Sequence, residues 1–176
     1  MATERRLLAS AMAGSILAAI IIEVILFVVM LWGLDSLFTP YTLPGLAALL
    51  VIAGFVYTRL VRATRYSRPV VRVAGLAGAV IAGLGVAIGA LGRPYLGAWL
   101  IVVAYYGELV LGVRLKRDLE EHVNRGVNAF IGGMLLFILS LPLAVVDHRL
   151  AIIPFIGNLV KTAGLIQVYR ELSSRG

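Results

Sequence analysis

Apolar side chains run with few interruptions over residues 7–34, 43–61, 70–92, 95–113, 127–146 and 150–169. Each run approaches or exceeds the ~20 residues an α-helix needs to cross a ~30 Å hydrocarbon core, so the pattern predicts six transmembrane helices. The breaks between runs carry turn chemistry. In "DSLFTPYTLPG", Pro40, Pro44 and Gly45 interrupt any helix, and Trp32, Phe38 and Tyr41 around them suit a membrane interface. No polar linker divides the chain, which reads as one all-α transmembrane domain over residues 1–176, a bundle of six spans. The first run is longer than the apolar segment of a signal peptide and is expected to remain as a helix.

Composition agrees with a bilayer as solvent. The chain of 176 residues is 61% hydrophobic and only 14% charged, where an ordinary soluble domain carries about 25% charged residues. The formal charge of +7 does not point to nucleic acid, because the cations sit in short segments between apolar runs, where an anionic leaflet is the nearer partner. Arg59, Arg62, Arg65, Arg68 and Arg72 separate the second and third runs; Arg114, Lys116, Arg117 and Arg125 separate the fourth and fifth. Arg5, Arg6, Arg170 and Arg175 flank the ends, whereas the remaining connections hold only Arg93 and Arg149. By the positive-inside rule both termini are cytoplasmic, with residues 62–70 and 116–125 inside and residues 36–44 and 147–149 outside. The expected location is the cytoplasmic membrane of a prokaryote, and the expected partner is the lipid bilayer. "RLKRDLEEHVNRG" is expected to prolong the fourth helix as a solvated end, since Leu111, Leu115 and Leu119 recur at four-residue steps and Lys116 and Arg117 precede Glu120 and Glu121 by four.

In the third run Gly75, Gly78, Ala82, Gly85, Gly89 and Gly92 follow steps of 3, 4, 3, 4 and 3. A 3.5-residue repeat of small residues keeps one face against a neighbour and lets backbones approach in lipid. The expectation is a central third helix with a close partner along its whole length. The G-x-G in "AGLGVA" follows no strand and carries no phosphate-binding meaning. The two halves show no visible inverted repeat.

Three ionisable groups lie at depth: Glu23, Glu108 and Lys161. Such groups cost about 2.5–3.5 kcal/mol each on insertion, which makes each a functional candidate. Asn158, Lys161 and Thr162 fall at i, i+3 and i+4 and share a face with Leu165 and Tyr169, forming a polar stripe. Glu23 and Lys161 reach comparable depth, and pairing would offset part of the desolvation each suffers alone. The alternative is a protonated Glu23 acting as a proton site. Glu108 lies near the cytoplasmic end of its span, where it is expected to bond near the interface or to pair with an Arg of the basic segments; with Tyr105 it is a further candidate for the polar site.

No cofactor and no metal are expected. Cysteine is absent, His122 and His148 fall in loops expected on opposite faces, and no H-x-x-x-H or carboxylate pair at ligand spacing occurs. Ser140 stands in an apolar span without G-x-S-x-G, so an enzyme of known motif is not expected. Two roles remain. One is a small-solute binder or carrier using Glu23, Tyr105, Glu108, Asn158, Lys161 and Thr162. The alternative is a scaffold or accessory subunit that meets other membrane subunits, or copies of itself, through small-residue faces.

Overall fold

The computed structural model describes residues 2–64, 67–123 and 125–174; Arg65 and Arg175 of the basic segments, and Tyr66 and Asn124 in the stretches expected to be cytoplasmic, lie outside them. Six helices result: α1 (Ala2–Trp32), α2 (Leu43–Ala63), α3 (Arg68–Ala90), α4 (Pro94–Glu120), α5 (Val127–Val146) and α6 (Ile152–Ser174). Short 3-10 turns, Leu34–Phe38 and His148–Ala151, lead into α2 and α6. All six helices are long and apolar enough to cross a membrane, and no strand occurs among the described residues.

Local chemistry sets the boundaries. Proline opens the first turn of α2, α3 and α4, where its missing N–H would have no intrahelical partner and its fixed φ is already helical. Gly92, at φ 87°, follows α3 in the left-handed conformation that releases the chain into α4. α4 continues past its apolar run to Glu120, with Leu111, Leu115 and Leu119 buried along it and Lys116 3.5 Å from Glu120. That end is not simply solvated. Asp118 is buried, and its carboxylate accepts from the backbone N–H of Ser67 at 3.1 Å and from the Ser67 hydroxyl, fastening α4 to the start of α3.

Each helix packs on its chain neighbours, and α6 returns to α1, so the six close a ring in sequence order. No helix is central. α3 therefore does not occupy the expected position, and its small residues meet several neighbours rather than one. A Cβ at Gly75 would lie 2.9 Å from the Tyr57 ring of α2; at Gly85 it would lie 2.8 Å from the carbonyl of Gly97 on α4; at Gly89 it would overlap Phe38 of the first 3-10 turn; and at Gly92 nothing lies within 4 Å. α5 and α6 approach as closely. Gly133 faces the backbone of Lys161, Gly157 that of Phe137, and Gly164 that of Phe130, a single antiparallel register held by glycine on either helix.

The outside of the ring is as apolar as its inside. Leu17, Ile20, Val24, Phe27 and Leu31 form an exposed stripe on α1, and Val73, Leu76, Val80 and Leu84 one on α3. Continuous apolar faces of that length are rare on water-soluble monomers and suit a chain embedded in a membrane. Both termini lie at one end, where the Arg5 guanidinium donates to the backbone carbonyl of Glu171 at 2.9 Å.

Candidate functional site

A ring of six helices in lipid has no hydrophobic drive to fill its middle completely, because lipid chains are as apolar as the side chains themselves. The middle here holds a cavity of about 150 Å³ lined by all six helices. Most of its wall is aliphatic. Its polar groups are Ser15 on α1, Tyr57 on α2, Tyr105 and Glu108 on α4, and Lys161 on α6.

The ionisable pair at this wall is Glu108 with Lys161. The Lys161 ammonium donates to Glu108 Oε1 at 2.8 Å, and the two side chains are 4% and 26% exposed, respectively. The ammonium also lies 5.0 Å from the centre of the Phe137 ring, and Phe137 meets Tyr105 edge to face with ring centres 5.3 Å apart. A desolvated cation is thus held by one carboxylate and one aromatic face. Tyr105 also lines a second, wholly apolar cavity of about 80 Å³ that continues toward the Leu34–Phe38 turn.

The pair expected between Glu23 and Lys161 is not the one formed. Glu23 Oε1 instead accepts from Thr162 Oγ1 at 3.0 Å and from Asn158 Nδ2 at 3.3 Å, so its partners are neutral donors. Helix phase explains the division. At ~100° per residue, Thr162 is offset about 40° from Asn158 in one direction and Lys161 about 60° in the other. α6 packs between α1 and α5, so Asn158 and Thr162 face Glu23 on α1 while Lys161 points past α5 toward α4. Glu108 accordingly pairs with neither an interfacial group nor an Arg of the basic segments. Leu165 continues the buried stripe, but Tyr169 turns outward.

Asn158 is fully buried, and its amide orientation is set by two acceptors: Nδ2 also donates to the Ala19 carbonyl at 2.8 Å, leaving Oδ1 buried without a donor. Thr162 Oγ1 also lies 2.7 Å from the Asn158 carbonyl, so its single hydroxyl proton is shared between that carbonyl and Glu23. This layer binds α6 to α1 and closes the ring, whereas the Glu108–Lys161 layer faces the cavity. The six polar candidates therefore fall into two groups, with Glu23, Asn158 and Thr162 in one and Tyr105, Glu108 and Lys161 in the other.

Tyr57 and Phe137 belong to the site, and neither was singled out by sequence. Tyr57 lies six residues before the end of α2, where a tyrosine reads as an interfacial anchor, and Phe137 is one apolar residue in an apolar run. The signal available for Phe137 was its place four residues after Gly133, on the face that meets Lys161. Among the described residues no three His, Asp or Glu side chains gather as a metal site. No protein-family model, curated protein or solved structure matches the chain.

Proposed function

We propose that the chain is a small membrane protein that binds a small solute inside its helix ring, at the wall formed by Tyr57, Tyr105, Glu108 and Lys161. The supporting observation is the cavity itself: about 150 Å³, reached by all six helices, with an ion pair on an otherwise apolar wall. Small-molecule sites combine these features, an apolar enclosure with a few polar groups that fix orientation. An ion pair contributes little to stability as such, because replacing a buried pair with apolar side chains is often neutral or favourable. Its presence on a cavity wall is better accounted for by recognition than by folding. A carrier role extends the same reading, since the second cavity shares Ile22, Leu46, Leu49, Ile101 and Tyr105 with the first and reaches the Leu34–Phe38 turn. In this reading the basic end of the ring faces the cytoplasm, and the glycine contacts set the width of the enclosure.

The test is occupancy. In thermal unfolding of the purified chain against a panel of small neutral, cationic and anionic solutes, at least one class should raise the midpoint. Ala82→Phe, which places a ring in the cavity from α3, should abolish that shift while the chain still unfolds cooperatively. Silence of the unmodified protein across the panel would remove the proposal.

A further inference from the structure

The cavity wall carries one negative and one positive group whose charges cancel, and they are not equally placed. Lys161 is withdrawn, 4% exposed, between Glu108 and the Phe137 face; Glu108 is 26% exposed and is the charged group an occupant meets. Two tyrosine side chains, Tyr57 and Tyr105, lie on the same wall. An exposed carboxylate beside aromatic rings selects a donor, and most strongly a cation. The volume limits its size, since a cavity of about 150 Å³ takes a guest of roughly benzene size.

Resting on the reading of this cavity as a solute site, we propose that it takes a small organic amine, an ammonium ion in solution, on an apolar body, and that binding releases one proton, so that the occupied site holds a single ammonium charge beside Glu108. The reason is charge balance. Glu108 cannot neutralise two cations, and a surplus charge among apolar walls is strongly unfavourable. The neighbouring elements offer no second counter-ion: α3 has no ionisable side chain over residues 73–90, and α5 has none over residues 127–146. Tyr57 on α2 and Tyr105 on α4 contribute phenols, and Glu23 on α1 is engaged by Asn158 and Thr162 on another face of α6. The balance is restored when one N–H bond of the two ammonium groups breaks, the electron pair stays on that nitrogen and the proton passes to water. The remaining ammonium donates to Glu108, and the neutral amine accepts a hydrogen bond from it. No covalent bond forms between protein and solute, and the site holds one positive charge before and after.

Calorimetric titration of the full chain in lipid nanodiscs tests this, with benzylamine as the cationic probe, benzyl alcohol as its neutral counterpart and empty nanodiscs as the blank. Titrations in buffers of different ionisation enthalpy count protons. Benzylamine should release close to one proton per molecule bound, and its affinity should rise about tenfold per pH unit between pH 6 and 8. Benzyl alcohol should release none, with an affinity that does not vary with pH. Lys161→Met should bind benzylamine without proton release and with a flat pH profile, its benzyl alcohol affinity reporting whether the cavity is intact. Benzylamine binding to the unmodified protein without proton release overturns the proposal, and this measurement needs no variant. Uptake of benzyl alcohol with rejection of benzylamine overturns it while leaving the solute-binding reading in place. Failure of both probes to bind overturns it as well, while the solute-binding reading is decided by the wider panel.

Discussion

Lys161 shows how an ionisable group is kept inside an apolar ring: its ammonium donates to Glu108 at 2.8 Å and rests against the Phe137 ring. Removing one partner leaves the other buried and uncompensated, which costs about 3–5 kcal/mol for a buried pair. Glu108→Leu and Lys161→Met should each lower stability on that scale, and the double variant should recover a substantial part of the summed loss. Equilibrium unfolding in mixed micelles measures the cycle, and strictly additive losses would exclude the pair. Glu23 behaves differently, because its partners are neutral. Glu23→Gln keeps an acceptor for Thr162 and Asn158 and should cost less than about 1 kcal/mol, whereas Glu23→Leu leaves the second Asn158 amide N–H without its acceptor, Thr162 keeping the Asn158 carbonyl, and should cost about 1–3 kcal/mol. Equal losses for the two would show that the hydrogen bonds to Glu23 are energetically idle. The participants in these layers were legible as polar residues in apolar runs. Their pairing was not, because depth along a helix says how far a group lies from each end but not which neighbour a ~60° turn will make it face. Tyr57 and Asp118 escaped for a related reason: each lies near a helix end, where a polar group is ordinarily explained by water or headgroups.

Neighbouring glycines within one helix separate contact from propensity. On α5 a Cβ at Gly132 would meet nothing within 4 Å, while one at Gly133 would overlap the backbone of Lys161. A backbone atom cannot swing aside as a side-chain tip can. Gly133→Ala should therefore push α6 away and cost about 1–3 kcal/mol by overpacking, whereas Gly132→Ala should be neutral or stabilising by up to about 1 kcal/mol through helix propensity. Unfolding midpoints of the two variants check this, and matching effects would show that the α5–α6 approach is not glycine-limited. A second pair of positions belongs to α3, where Gly85→Leu meets the carbonyl of Gly97 and Leu84→Ala removes a side chain from the exposed face; the first should cost about 1–3 kcal/mol and the second clearly less. The six helices themselves were legible because a hydrocarbon core leaves a long apolar segment few alternatives to helix. α5, Val127–Val146, begins and ends where its apolar run does. The α5–α6 contact was not legible, because its glycines are split between two segments, Gly133 on one and Gly157 and Gly164 on the other, and neither alone shows a repeat. The α3 repeat was visible, but periodicity cannot say that one stripe will serve α2, α4 and a 3-10 turn in succession.

Across the whole molecule an even number of antiparallel helices returns the C-terminus to the side of the N-terminus, and the contact of Arg5 with the Glu171 carbonyl places both at one end. The same end receives the close of α2, the start of α3 and the close of α4, and with them the exposed Arg62, Arg68, Arg114 and Arg117, while the opposite end holds Arg93 and Arg149. Each basic residue near an anionic leaflet contributes about 1 kcal/mol of attraction, and short basic loops resist translocation. These terms act in the same direction at every connection, so the expected orientation has the termini and the α2–α3 and α4–α5 connections in the cytoplasm, with the α1–α2 and α5–α6 connections outside. A chain without cysteine reports this cleanly. Glu121→Cys, exposed just after α4, should react with a membrane-impermeant maleimide only in inside-out vesicles; Tyr41→Cys, in the α1–α2 connection and 93% exposed, should react only in right-side-out ones. Neither change touches the cavity or the two polar layers, so loss of folding does not confound the result. The reverse pattern would invert the ring in the membrane and set the wall of Glu108 and Lys161, which lies on the basic side of Tyr105 and Phe137, toward the outside of the cell.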